Sequence, residues 1–148
     1  MTDINYKIRK LEERDITIDY FELLQQLTII SLNEFNEDNN TNFFNSLNEN
    51  HQIYVIEELE NKKIIGSATI WIEPKLIRNY SRVAHLEDIV IDSKFRGFGL
   101  GKKIVETLLK IARDNNCYKC VLNCEPALIS FYQNIGFINY GKHLRLDF

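Results

Sequence analysis

No apolar stretch in this chain approaches the roughly 18 residues that a bilayer span needs, and the polar start Met1-Thr2-Asp3-Ile4-Asn5 lacks the apolar segment of a secretory signal. Neither a membrane span nor export is expected, and the cytoplasm is the expected location. Net charge is small too: a formal −3 and a pI near 5.6 argue against nucleic acid or an anionic membrane as a main partner, while allowing a local basic patch around a small anion. Cysteine is confined to Cys117, Cys120 and Cys124, an odd number that describes no disulfide framework. Cys117-x-x-Cys120 raises zinc or a redox pair, but a closed zinc site takes four ligands, and neither a second pair nor a nearby histidine supplies them. No metal is expected. The other reading places Cys120 and Cys124 on one strand face as small buried groups. His51, His85 and His143 are scattered, and their spacing supports neither a triad nor a metal.

The 148 residues fit a single domain, 1–148, with one core. Of only six glycines, Gly97, Gly99 and Gly101 stand at alternate positions within Arg96-Gly97-Phe98-Gly99-Leu100-Gly101-Lys102, between an apolar strand and a helical pattern. Such a turn can aim successive amides at an anion, and the following helix adds its unpaired N–H groups, with Lys102 and Lys103 adding charge. A glycine-rich turn with no ligand is the alternative. A P-loop would need glycine at Arg96 and Ser or Thr at Lys103; a dinucleotide fingerprint would need glycine at Lys102. Both fail. The pattern that fits is R-x-x-G-x-G, from Arg96 through Gly99 to Gly101, and it resembles the coenzyme A pyrophosphate loop of the GNAT superfamily of acyltransferases.

The rest of the chain reads as an α/β assembly. Ile4, Tyr6 and Ile8 alternate with polar residues as a first strand, and Asp19 with Glu22 offers a cap for a helix ending near Gln26-Leu27-Thr28. Residues 31–50 predict one or two short helices, broken at Asp38-Asn39-Asn40-Thr41-Asn42. Gln52 to Glu57 and Ile64 to Glu73 predict an antiparallel hairpin, ended by Pro74. A loop, Lys75 to Ser81, precedes a strand over Arg82 to Asp92. The helix after the glycine loop packs Leu100, Ile104, Leu108 and Ile111 together and turns Lys103, Glu106, Lys110 and Arg113 outward. Strands over Tyr118 to Cys124 and Phe137 to Leu146 flank a short helix closed by Gly136. The expected sheet is mixed, antiparallel in its first half and parallel where helices cross over.

Glu87-Asp88 lies inside an apolar strand, where consecutive residues face opposite sides and one carboxylate is expected to point inward at a cost. A site explains that placement; an ion pair with Arg82, Arg96 or a lysine is the alternative. In Phe131-Tyr132, the aromatic pair serves the core, or the tyrosine hydroxyl serves as an acid toward a leaving thiolate.

His85-Leu86-Glu87-Asp88-Ile89-Val90-Ile91, then the Arg96-to-Lys102 loop, Asn116-Cys117-Tyr118-Lys119, Phe131-Tyr132 and Gly136-Phe137 together resemble the glucosamine-6-phosphate N-acetyltransferase family. Leu24-Gln25-Gln26-Leu27-Thr28 and the Glu73-to-Arg78 loop extend the likeness over nearly the whole chain. The resemblance implies a GNAT acyl-CoA N-acyltransferase fold, a mixed central sheet flanked by helices, and direct acetyl transfer from acetyl-CoA to glucosamine 6-phosphate in UDP-GlcNAc biosynthesis. It implies that Arg96, Gly97, Phe98, Gly99, Leu100, Gly101 and Lys102 hold the coenzyme A pyrophosphate, that Ile89, Val90 and Ile91 line its pantetheine arm, and that Tyr132 faces the departing sulfur with Asn123 nearby. The sugar phosphate is expected to meet Thr28, Lys75, Leu76, Ile77, Arg78, Tyr118 and Lys119, with Glu87, Asp88 and Ile89 near the sugar hydroxyls and amine. A homodimer with shared pockets is also implied.

Two positions depart from the family. Asn123 stands where an acidic residue is usual, and an amide cannot accept the proton of an ammonium, which leaves Glu87 or solvent as base. Asp147 stands where an arginine is usual, with Arg145 two residues earlier as a substitute. These departures keep open a different small amine as substrate, or a non-catalytic acyl-CoA-binding module.

Overall fold

The structure, a computed structural model, describes residues 4–148; of the polar start, Met1 to Asp3 lies outside the described residues. The elements run β1 (Tyr6–Lys10), α1 (Ile18–Leu24), α2 (Glu37–Ser46), β2 (His51–Glu58), β3 (Lys63–Pro74), a single turn α3 (Ile77–Tyr80), β4 (Arg82–Ile91), α4 (Leu100–Asp114), β5 (Cys117–Val121) and α5 (Ile129–Gln133). They build one sheet in the order β1-β2-β3-β4-β5. The first four strands pair antiparallel, and β5 joins β4 in parallel after the α4 crossover. The expected hairpin is β2-β3, its turn fixed by the Glu58 carboxylate accepting from the amides of Glu60 (2.7 Å) and Asn61 (2.9 Å).

Alternation along the strands divides the apolar residues between two faces. On one face α4 buries Leu100, Ile104, Val105, Leu108 and Ala112 against Ile56, Ile65, Ala68, Ile70, Ile72, Ala84 and Leu86. On the other, Leu11, Ile16, Tyr20 and Leu23 close over Ile53, Val55 and Val90. Leu108 is fully buried, so cutting it to alanine costs about 2–5 kcal/mol.

Several boundaries differ from the expectation. The cap of α1 is Thr17, whose hydroxyl accepts from Tyr20 N (3.4 Å); Asp19 lies in the first turn, where its charge faces the positive helix end. Asp38 to Asn42 continues α2 rather than breaking it, because the Asn36 side chain caps the helix at Asn39 N (3.0 Å) and Phe44 and Leu47 anchor it on the α1 side. β5 ends at Val121, so Cys124 lies beyond the strand, and all three free cysteines are half-buried against the α4 core. The segment from Phe137 to Leu146 forms no strand. Its alternation is real, but it pairs with no strand among the described residues, and Ile138, Tyr140, Leu144, Leu146 and Phe148 are all exposed.

Candidate active site

The centre of the site is an irregularity in β4. Thr69 pairs with Glu87 and Ser67 with Val90, so β3 supplies Ala68 alone where β4 supplies Asp88 and Ile89. The extra residue makes a bulge, with Asp88 at φ 51. The bulge changes the expected side-chain directions: neither carboxylate points into the core, and both are exposed. Neither takes part in an ion pair among the described residues. Arg82 donates to the Asn115 side chain (3.3 Å), while Arg96 donates to Ile91 O (3.1 Å) and to Gln26 (3.3 Å). Behind the bulge, Tyr20 donates to or accepts from Ser67 at 2.8 Å, and its hydroxyl pKa is pushed up to about 12, by burial first and by Asp15 and Asp88 after it.

Past the bulge the sheet splits. β5 pairs with Arg82 through His85 and with nothing beyond, so the second half of β4 has a ladder on its β3 side only. Tyr132 is buried where α5 packs on the same core as Ile89 and Ile91, edge-on to Phe131 and Phe137 at 4.9 and 5.8 Å between centroids. Burial, with a smaller contribution from Cys124, holds its hydroxyl pKa above the usual value, so the proton stays on at neutral pH. Tyr132 and Asn123 also border a cavity of about 710 Å³ between α4, β5, α5 and residues 137–143. Asn123 itself is exposed.

The glycine loop follows directly. Gly97 and Gly99 sit at φ 86 and φ 77, where only glycine is unstrained, and a Cβ on either would meet no atom within 4 Å. The space over the loop is open. The first helical bond of α4 runs from Lys103 N to Gly99 O (3.1 Å), leaving the amides of Leu100, Gly101 and Lys102 ahead of it for a ligand. At Gly101 a Cβ would lie 3.4 Å from the Phe131 ring and 3.7 Å from Ile91, so β4, α4 and α5 converge there. Phe131, the chain neighbour of Tyr132, thus brings α5 up to the loop and to the end of β4.

Basic residues gather in two groups. Arg78 lies in a left-handed turn with Asn79 and Tyr80 (φ 53, 57 and 59), an unfavourable conformation for three non-glycine residues. Its guanidinium stacks 5.0 Å from the Tyr118 ring centroid, with the Lys119 ammonium 5.5 Å from the same ring. Lys75 pairs with Glu73, whose second oxygen meets His85 Nε2 at 3.0 Å. Those two partners hold the Glu73 carboxyl below the usual range, Lys75 more than His85. Leu76 and Ile77 are exposed beside them. Thr28 is exposed on the stretch after α1. Arg145 is not brought to this region: it pairs with Asp147 at 2.5 Å on the exposed C-terminal segment.

Residues that the sequence did not single out are also engaged here. Asp92, buried, accepts from Lys94 N (3.0 Å) and sets the turn into the loop; an Asp at the end of an apolar run was its only signal. Gln26, which the family likeness includes only as part of Leu24 to Thr28 and without a role, bonds to that turn from 67 and 70 residues away. Among the described residues, no group of three or more His, Cys, Asp or Glu side chains could hold a metal.

Comparison with known proteins agrees with this geometry. Residues 14–137 match the model of the Acetyltransferase (GNAT) family. The chain belongs to the GNAT acetyltransferase family. Within that family it is 40% identical over 135 residues to the glucosamine 6-phosphate N-acetyltransferase of Arabidopsis thaliana, covering 90% of this chain and 91% of the relative. The crystal structure of glucosamine-6-phosphate N-acetyltransferase from Arabidopsis thaliana superposes with a TM-score of 0.92 at 36% identity, over 97% of this chain and 99% of the other. The Trypanosoma brucei glucosamine 6-phosphate N-acetyltransferase is 33% identical over 152 residues, 99% of each chain.

Proposed function

We propose that this single GNAT domain, 1–148, transfers the acetyl group of acetyl-CoA to the amine of D-glucosamine 6-phosphate, giving N-acetyl-D-glucosamine 6-phosphate and free coenzyme A. The observation that carries the reading is the bare stretch of β4 between a carboxylate pair that meets no cation among the described residues and an open glycine loop, with a buried, protonated tyrosine on the α5 helix that reaches it through Phe131. The names of the relatives supply the sugar phosphate. The loop fits a pyrophosphate because its free amides face a space that side chains do not fill. Arg96, Gly97, Phe98, Gly99, Leu100, Gly101 and Lys102 hold that group, and Ile89, Val90 and Ile91 lie along the pantetheine arm.

Transfer is direct, in a ternary complex. The neutral amine attacks the thioester carbonyl, a C–N bond forms and the C–S bond breaks; a β4 amide donates to the developing oxyanion, and Tyr132 protonates the leaving thiolate. Glu87, exposed and without a cation partner among the described residues, takes the amine proton directly or through water. Asn123 orients the amine or that water. Lys75, Arg78, Tyr118, Lys119 and Thr28 bind the sugar phosphate, with Leu76 and Ile77 beside them, Asp88 and Ile89 on the sugar and Arg145 closing the pocket from a partner subunit. The product feeds UDP-GlcNAc biosynthesis in the cytoplasm.

A homodimer completes the pocket. Supporting it, Ile29, Trp71, Leu76, Ile77 and Tyr80 are exposed, and the alternating segment Ile138 to Phe148 has a strand pattern with no strand of its own chain beside it. Sedimentation or light scattering giving a monomer at micromolar concentration overturns this part.

The substrate is tested by thiol release across a panel of amines. Glucosamine 6-phosphate is expected to outpace polyamines, peptide amines and unphosphorylated glucosamine; equal or better turnover of another amine overturns the assignment. Tyr132→Phe is expected to lower turnover about a hundredfold or more with acetyl-CoA affinity nearly unchanged, and unaltered turnover removes its acid role.

A further inference from the structure

The segment after α1 is fastened to the glycine loop by one side chain. Gln26 Oε1 accepts from the backbone amide of Ser93 (2.9 Å) and from Arg96 Nη2 (3.3 Å). Both partners are donors only, so the amide orientation is fixed: the oxygen, not the nitrogen, faces the turn. Its main chain is set as well, because Gln26 N bonds to Leu23 O (3.1 Å) and Leu27 N to Leu24 O (2.9 Å) in the last turn of α1. Gln25 Nε2 then donates to Ile30 O (2.7 Å), closing residues 25–30 into a tied loop that carries Thr28.

The other side of the contact is a turn that leads into open glycines. Nothing lies within 4 Å of where Cβ atoms would sit on Gly97 and Gly99, so packing does not position that stretch. Its approach, Ser93 to Arg96, is a helical turn closed by Phe95 N to Asp92 O (2.8 Å) and Arg96 N to Ser93 O (3.4 Å), with Phe95 packed on the core. Asp92 accepting from Lys94 N (3.0 Å), Arg96 Nε donating to Ile91 O (3.1 Å) and Gln26 gripping both ends of the turn set it further.

We propose that Gln26 is a positioning residue that couples the two substrate sites, holding the pyrophosphate loop in register with the Thr28 loop so that each ligand strengthens binding of the other. The inference rests on the proposed placement of coenzyme A at Gly97–Lys102 and of the sugar phosphate at Thr28. Coupling through one contact is reciprocal: whatever factor the sugar phosphate gains from coenzyme A, coenzyme A gains from the sugar phosphate. Gln26 touches neither reacting group, so its loss acts on affinity and not on the chemical step.

Calorimetric binding of coenzyme A, with and without saturating glucosamine 6-phosphate, tests this in the wild type, Gln26→Ala and Gln26→Glu. In the wild type the sugar phosphate is expected to tighten coenzyme A binding. Gln26→Ala is expected to weaken it about threefold to tenfold, the worth of an ordinary hydrogen bond or two, and to erase the effect of the sugar phosphate. KM for acetyl-CoA rises accordingly, while kcat at saturation stays within about twofold. Gln26→Glu keeps the acceptor and restores both affinity and coupling. Gln26 is exposed, so these variants keep the wild-type melting temperature. An unchanged affinity and unchanged coupling in Gln26→Ala overturns the role of Gln26 alone, as does a wild-type affinity indifferent to the sugar phosphate. A wild type that binds no coenzyme A overturns the proposed function with it.

Discussion

Asp15 and Glu57, near the β1 edge of the sheet, are buried carboxylates that converge on one guanidinium: Arg9 holds Asp15 in a two-pronged contact at 2.6 and 2.8 Å and Glu57 at 2.7 Å, and Lys7 reaches Glu57 at 3.0 Å. Glu87 and Asp88, on β4, are adjacent in sequence, exposed, and matched by no cation among the described residues. The first pair has spent its charge on its own fold. Buried carboxylates survive there because cations hold them, Arg9 on both oxygens of Asp15 and Arg9 with Lys7 on Oε2 of Glu57, whereas the second pair is held bare by a bulge whose backbone conformation at Asp88 is itself unfavourable. A chain that tolerates both strain and unneutralised charge at one place keeps that place for something outside itself.

The sharpest way to break this contrast is to exchange the properties of the two pairs. Glu87→Gln is expected to lower kcat by about tenfold to a hundredfold, because solvent takes over part of the proton removal, while the melting temperature stays within a degree or two. A melting temperature that falls with turnover would put Glu87 in the structural class. Next, Arg9→Met is expected to cost about 2 kcal/mol in urea unfolding, below the roughly 3–5 kcal/mol of a fully buried pair because the Arg9 side chain keeps 15% exposure. Turnover of the folded variant should match the wild type; a loss of kcat would connect the two regions. The smallest effect is in pH. Arg9 first, and Lys7 after it, hold the Glu57 carboxyl below its usual range, so its contribution is complete above the unfolded carboxylate value near 4.5 and is lost as pH falls through the lowered folded value. Urea midpoints should therefore drop below about pH 4.5 in the wild type and less steeply in Glu57→Gln. Parallel curves for wild type and Glu57→Gln would deny Glu57 that role.

Sequence periodicity made the hairpin, the α4 stripe and the cradle legible, because each rests on local spacing: two for the strands, 3.6 for the helix, alternate glycines for the loop. The bulge was not legible. An inserted residue leaves the run His85 to Ile91 as apolar as before and changes only its register with β3, a property of two strands at once. α2 was misread for a related reason: asparagines at 39, 40 and 42 signal a loop by composition, yet Asn36 caps the helix and Phe44 ties it to the α1 side. The strand pattern of Phe137 to Leu146 was legible and remained unformed, since alternation specifies a face but cannot supply a neighbouring strand. Of the candidate site, the sequence grouped the residues from Glu87 to Lys102, while Gln26 and the Glu73–His85 contact depend on long-range geometry alone.

The split between β4 and β5 also bears on how an open strand edge escapes non-specific strand addition. A half-strand with one unpaired side is a template for any other extended chain, and such edges invite unwanted strand addition and aggregation. Here the edge lies in the wedge between two diverging strands, is bent by a bulge, and carries two adjacent negative charges, all of which repel or misalign an incoming strand. The features that leave room for a ligand thus also guard the opening when none is bound.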